Sequence, residues 1–242
     1  MVLTEEKLKL LYNKENIKEI KVDKKTVITP SAREYMAQKS IKLIEESKIE
    51  ENNKIKIPIE ASGRHIHLSQ KEADILFGIG YVFTVSKELS QLGQYAYKER
   101  VRLIGSKGII ENVVILGPMR KETQVELSLT DSRILGVNAV LRNSGLIDGT
   151  PGILMSNGKN FVYIDKGVII ARNHIHMNEK DANRLNVKDN DLIKVKIVSE
   201  RSGIFENVLV RVDNKYILNM HIDYDEANAF YISKDSYGEI YE

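Results

Sequence analysis

The 242-residue chain contains no cysteine. That excludes disulfides, thiolate metal ligands and a catalytic thiol. It also lacks a dominant charge sign, with 36 lysines and arginines scattered among 34 aspartates and glutamates. So small a positive excess does not argue for nucleic acid; it suits a small anionic substrate, and it suits solubility equally well. No apolar run approaches the length of a membrane span and no signal peptide is apparent, so no membrane partner is expected and the expected compartment is the cytosol. Long helices between strands are missing too, which argues against a doubly wound sheet.

The length leaves room for one large or two small domains around a real core. Residues 1 to about 50 read as helix, short strand, helix. Leu8, Leu11 and Tyr12 recur at helical spacing after Thr4. In KTVITPSAREYM, Thr29 is placed as an N-cap with Pro30 at the first helical position. Ala32, Tyr35, Met36, Ile41 and Ile44 are the expected buried side of this second helix. The polar run EESKIEENNK (45–54) reads as a linker or an exposed helix end.

From Ile55 onward short alternating runs dominate: VRLI (101–104), VVIL (113–116), QVELSL (124–129), LIKVKIV (192–198), NVLVRV (207–212) and YILNMHI (216–222). Turn signals such as GSKG and SERSG separate them. This spacing predicts small β-barrels or sandwiches.

The chain also repeats itself. GRHIHLSQKEADILFG (63–78) matches RNHIHMNEKDANRLNV (172–187) at an offset of 109, and KGIIENVVI (107–115) matches SGIFENVLV (202–210) at an offset of 95. The difference between the offsets places a 14-residue insertion in the first copy, within roughly 79–100. The expected organisation is an N-terminal helical extension (1–54) followed by two versions of one β-rich module, 55–165 and 166–242. Carried forward, the offset of 95 aligns Glu126 with His221 and Arg120 with Lys215.

All five histidines fall in this pattern: His65, His67, His174, His176 and His221. In a strand, residues i and i+2 face the same way, so each His-x-His directs two imidazoles together while Ile66 and Ile175 face a core. Ser69 with Glu72 is expected to form a capping box for a following helix, and Asn178 to cap its counterpart. A catalytic zinc site uses three nitrogen or oxygen ligands and one open position. The first module offers His65, His67 and Glu126, and the second His174, His176 and His221. Imidazole favours zinc over magnesium or calcium, with iron, cobalt and nickel left open.

ASGRHIHLS, LSQLGQYA, ILGPMRKETQVELSLTDSRILG, LRNSG, ARNHIHM and MHIDYDEANA together resemble the PduL-type phosphotransacylases, or phosphate propanoyltransferases, over about 55–235. Leu92 and Leu141 depart from residue types frequent there. The resemblance implies two β-barrel domains in a mainly β fold with short helices, two zinc ions, and coenzyme A and phosphate as reactants. It places one ion on His65, His67 and Glu126, the other on His174, His176 and His221, and phosphate on Arg120. Coenzyme A contacts fall near Ser62, Lys87, Lys107 and Asn228. It also allows residues 1–20 to direct the enzyme into a bacterial microcompartment, with shell or lumen enzymes as partners.

The activity so implied is reversible conversion of a short-chain acyl-CoA, propanoyl or acetyl, and phosphate to acyl phosphate and coenzyme A. Arg120 suits phosphate because its planar fork donates two parallel hydrogen bonds and stays charged. Two other classes use the same residues. A zinc-dependent hydrolase has no need of a phosphate fork, and a non-catalytic metal-binding scaffold predicts closed four-ligand sites.

Overall fold

Two threonines start the helices of the amino-terminal stretch. Thr4 Oγ1 accepts from the Lys7 amide ahead of α1 (Glu5–Glu15). Thr29 Oγ1 accepts from Ala32 ahead of α2 (Pro30–Gln38), with Pro30 at its first turn. The computed structural model describes residues 2–23, 26–46 and 55–241, and the chain divides into the units Met1–Lys54 and Ile55–Glu242.

In the first unit β1 (Val2–Leu3) pairs in parallel with β3 (Val27–Ile28), and β2 (Glu19–Asp23) with β4 (Lys42–Glu46). The expected helix–strand–helix order is therefore strand–helix–strand, twice. Helix α2 also stops short of Ile44. Ser40 turns into the left-handed region (φ 53°) and donates its amide to Ala37, while Ile41 donates to the Met36 carbonyl at 2.9 Å. This terminating motif brings Ile41 onto Met36 in the core with Leu3, Leu8, Val22, Ala32 and Tyr35. The polar run begins in β4, and its residues 47–54 lie outside the described residues.

The second unit is mainly β, as expected. Its elements run β5 (Ile57–Ala61), β6 (His65–Ser69), α3 (Gln70–Phe77), β7 (Val85–Glu88), β8 (Tyr95–Ile104), β9 (Ile109–Arg120), β10 (Gln124–Glu126) and α4 (Leu129–Leu135). They continue β11 (Val140–Arg142), β12 (Ile153–Ser156), β13 (Phe161–Ile164), β14 (Val168–Ala171), β15 (His174–Met177), α5 (Glu179–Leu185), β16 (Leu192–Val198), β17 (Gly203–Val212), β18 (Asn219–Ile222), α6 (Tyr224–Ala229) and β19 (Tyr237–Tyr241). Strands β15-β17-β16-β19-β5-β18 close into a barrel. The other sheet, β11-β14-β10-β6-β9-β8-β12-β13 with β7 on β8, curls without closing, so only one of the two expected barrels is complete.

Strand register carries the duplication. His65, Ile66 and His67 of β6 lie beside Val114, Ile115 and Leu116 of β9; His174, Ile175 and His176 of β15 lie beside Leu209, Val210 and Arg211 of β17. Asn112 and Asn207, equivalent by the offset of 95, both take a left-handed φ (59° and 58°), which asparagine tolerates better than most residues. The insertion appears as β7 and the loops around it.

Strand pairing crosses the 165/166 boundary in both directions. β5, which leads into the first His-x-His, pairs with β18 and β19 and completes the barrel of the second. β14, which leads into the second His-x-His, pairs with β10 and β11 in the sheet of the first. Each core is continuous: Ile66, Leu103, Ile115, Val125, Met155 and Val168 fill one, and Ile57, Ile175, Val195, Val210 and Met220 the other. Burying such apolar side chains contributes about 1.5–3 kcal/mol each.

Three local expectations change. QVELSL is strand only to Glu126, because Ser128 and Asp131 form a capping box that starts α4. YILNMHI is strand only over Asn219–Ile222. Ser69 makes no side-chain cap for α3; its hydroxyl donates to the Glu72 carboxylate, and its amide donates to Thr123 Oγ1 at 2.8 Å. Asn178 does cap α5, accepting from Asp181 at 2.9 Å. No helix among the described residues is long and apolar enough to cross a membrane.

Candidate active site and metal centre

Alternation along β6 puts His65 and His67 on one face, with Ile66 fully buried behind them. Antiparallel β10 sets Glu126 directly opposite His65. Glu126 Oε2 lies 3.4 Å from His65 Nε2, and Oε1 lies 3.9 Å from His67 Nε2. One ligand atom from each of the three falls within 4.8 Å of the others. In the barrel, antiparallel β18 sets His221 opposite His174 in the same register. Ring centroids are 4.7 Å apart for His174 and His176, 5.2 Å for His174 and His221, and 4.8 Å for His176 and His221.

The leading histidine of each pair is held the same way. His65 Nδ1 donates to the Gly63 carbonyl and His174 Nδ1 to the Arg172 carbonyl, both at 2.8 Å. A carbonyl only accepts, so Nδ1 carries the proton and Nε2 is left as a lone pair for a cation. His176 Nδ1 and His221 Nε2 are buried without a hydrogen-bond partner. Two unpartnered imidazole nitrogens beside His174, and the close ligand atoms of His65, His67 and Glu126, are donor sets of the kind that could hold a cation such as zinc.

Electrostatics keep all of the set except His65 ready for a cation. Burial, His65 and Arg120 push His67 down to about 2. Burial and the neighbouring imidazoles push His176 to about 2 and His221 to about 3. Burial also lowers His174. Burial opposes protonation of His65, but the Glu126 charge and hydrogen bond hold it above its ordinary value. Burial alone raises Glu126, yet His65, His67 and Arg120 keep it well below the usual carboxylate range. Neutral imidazoles and an ionised carboxylate are the forms that bind metal.

Arg120 ends β9 opposite Ser69, the last residue of β6, which carries its guanidinium over the first trio. Nη2 donates to His67 Nε2 at 2.8 Å and Nη1 to Ser144 Oγ at 3.2 Å. Ser144 donates in turn to Glu126 Oε1 at 3.0 Å, and Gln124 Nε2 donates to the same oxygen at 2.6 Å. Fork and carboxylate thus share one hydrogen-bond network.

Both trios, Arg120 and Ser62 line a single cavity of about 380 Å³. Lys87, Lys107 and Asn228 do not line it. Lys87 sits on β7 paired with Ala96, Lys107 is exposed in the turn after β8, and Asn228 is exposed on α6. Lys215, the counterpart of Arg120 by alignment, is exposed in a turn, where its amide donates to Asp213 Oδ1. Arg172 lines the cavity as well, and its third arginine is Arg211, beside His176 in the β15/β17 register. Sequence reasoning missed it because its equivalent is Leu116, so the repeat gives no signal. It also missed Ser144, Gln124 and Tyr216, whose ring stacks on His176 at 4.1 Å.

The model of the phosphate propanoyltransferase family matches residues 58–233, which include both trios and Arg120. A phosphate propanoyltransferase of Sebaldella termitidis is 58% identical over 183 residues, covering 76% of this chain and 87% of that relative. The one of Leptotrichia buccalis is 58% identical over 171 residues, covering 71% and 81%. The one of Enterococcus faecalis is 48% identical over 193 residues, covering 80% and 92%. With matches of this extent running through every residue of the site, the chain belongs to the phosphate propanoyltransferase family of acyltransferases.

Proposed function

We propose that this enzyme is a zinc-dependent phosphotransacylase that converts a short-chain acyl-CoA, propanoyl or acetyl, and inorganic phosphate reversibly to acyl phosphate and coenzyme A. The observation that carries the reading is the meeting of two metal-type trios and three arginines, Arg120, Arg172 and Arg211, in the lining of one cavity. His65, His67 and Glu126 would hold one zinc ion and His174, His176 and His221 another, and bound zinc would supply Lewis acidity and a soft partner for sulfur.

The chain's own residues do the rest. Arg120 presents two N–H groups that now serve His67 and Ser144 and are geometrically suited to two oxygens of a phosphate. Arg172 and Arg211 add further positive charge to the lining of the same cavity. A phosphate oxygen attacks the carbonyl carbon, a C–O bond forms, the C–S bond breaks, and the thiolate of coenzyme A leaves. Ser62 is suited to the reactive end of coenzyme A, while Lys87, Lys107 and Asn228, away from the cavity, suit its distal phosphates and nucleotide. A hydrolase built on the same trios has no use for a phosphate fork at Arg120, and a scaffold has no use for a cavity. Placement in a microcompartment lumen rests on exposed Leu10 and Leu11 of α1.

The test is thiol release from several acyl-CoAs with and without phosphate. Release that requires phosphate and yields acyl phosphate supports the transferase; release indifferent to phosphate replaces it with the hydrolase.

A further inference from the structure

His221 is held differently from the histidines that lead the two pairs. Main-chain carbonyls fix the protons of His65 and His174, but among the described residues none accepts from His221. Its Nε2 is buried without a partner, and its Nδ1 faces Glu60 Oε2 at 3.9 Å. Glu60 lies on β5, in direct register with His221 across the parallel β5/β18 pair. Two donors hold the same carboxylate oxygen: Asn219 Nδ2 at 3.1 Å and the Ser90 hydroxyl.

The duplication shows why a carboxylate belongs here. By the offset of 109, the equivalent of Glu60 is Ile169, which lies in the same register beside Glu126. The first trio has its negative charge in a ligand, so an apolar neighbour suffices. The second trio is three neutral imidazoles, and a divalent cation among them lacks a compensating charge in the first layer. A carboxylate behind an imidazole meets that need, and it accepts the Nδ1 proton so that Nε2 faces the cation.

We propose that Glu60 is the positioning residue of His221, holding it as the Nδ1–H tautomer with Nε2 turned to the metal and supplying the second trio's negative charge. The gap of 3.9 Å exceeds a direct hydrogen bond and is the span that a small side-chain rotation or one bridging water closes. Because β5 is the strand that closes the barrel, the charge of the second trio comes from the segment leading into the first. Ser90 ties the loop after β7 to the same carboxylate.

The inference rests on the metal reading, and two measurements separate them. In metal-free protein with ¹⁵N-labelled histidine, long-range proton–nitrogen correlation reports the tautomer of His221. The Nδ1–H form is expected in the parent and its loss in Glu60→Ala, with retention in Glu60→Gln, whose amide oxygen still accepts. Zinc is then titrated against a chromophoric chelator. Glu60→Ala and Glu60→Gln should each weaken one of two equivalents by about tenfold to a hundredfold and leave the other unchanged. A parent that binds no zinc overturns the metal reading, whatever the tautomer. An Nε2–H form of His221 in the parent, or zinc affinities unmoved in both variants, overturns the role of Glu60.

Discussion

Glu126 faces His65 across β6 and β10 in the same register in which His221 faces His174 across β15 and β18. One position in the repeat thus carries a carboxylate in one copy and an imidazole in the other. Equal register with unequal charge makes the two trios chemically distinct.

Metal content follows from that geometry. Purified enzyme should carry about two zinc equivalents, and His65→Ala or His174→Ala should each lose about one equivalent together with most activity, by the three-ligand count. Elemental analysis checks this. Full occupancy in both variants means that the ligands are elsewhere.

Arg120 separates transferase from hydrolase. Arg120→Lys keeps the charge but loses one of two parallel hydrogen bonds, each contributing roughly 1.5–3 kcal/mol when charge-assisted. The phosphate dependence of the rate should weaken on the order of tenfold to a hundredfold, and more in Arg120→Ala, while zinc content holds. Steady-state kinetics with phosphate and acyl-CoA varied separately provide the check; an unchanged phosphate dependence moves the fork to Arg211.

Glu226 gives the fold a pH dependence. Burial and then the nearby Asp223 raise its carboxyl to about 7, while Asn173 Nδ2 donates to it at 2.7 Å. A carboxyl raised above its unfolded value favours the folded state in its protonated form. That contribution is complete below about 4.5 and is lost as pH rises through about 7. Glu226→Gln should therefore be more stable relative to the parent at pH 8 than at pH 5, by on the order of 1–3 kcal/mol. The lowered histidines act in the opposite direction, costing the parent stability as pH falls below their unfolded value, and they cancel in this comparison. Denaturant melts at the two pH values decide it; a difference independent of pH removes the assignment.

Because each unit has its own core, a chain beginning at Ile55 should fold, bind zinc and turn over. A chain beginning at Ser62 lacks β5 and leaves the barrel open between β18 and β19. Circular dichroism and zinc content should separate the two. Equal folding of both contradicts the pairing of β5.

The sequence made the site legible mainly through its repeat. The His-x-His spacing, the burial of Ile66 and Ile175, and the match of Glu126 to His221 all reappear as register. What stayed hidden depends on contacts distant along the chain. Ser69 reads as a cap, yet Thr123, far along the chain, takes its amide. Ile41 and Ile44 continue a helical spacing, yet the left-handed Ser40 ends the helix first. Arg211 has no echo in the first copy, so only the β15/β17 pairing reveals it. The pairing of β5 and β14 leaves no trace in alternation, since a strand shows the same pattern in either sheet.

The crossed pairing of β5 and β14 bears on where such a protein starts. A chain with only one copy of the module has nowhere to lodge the strand before its histidines except in a twin. Such a chain would have to exchange that strand with a second copy of itself. Joining the copies end to end makes that embrace permanent and releases each half from having to match the other. A glutamate and a histidine can then stand at one position of the repeat, as Glu126 and His221 do.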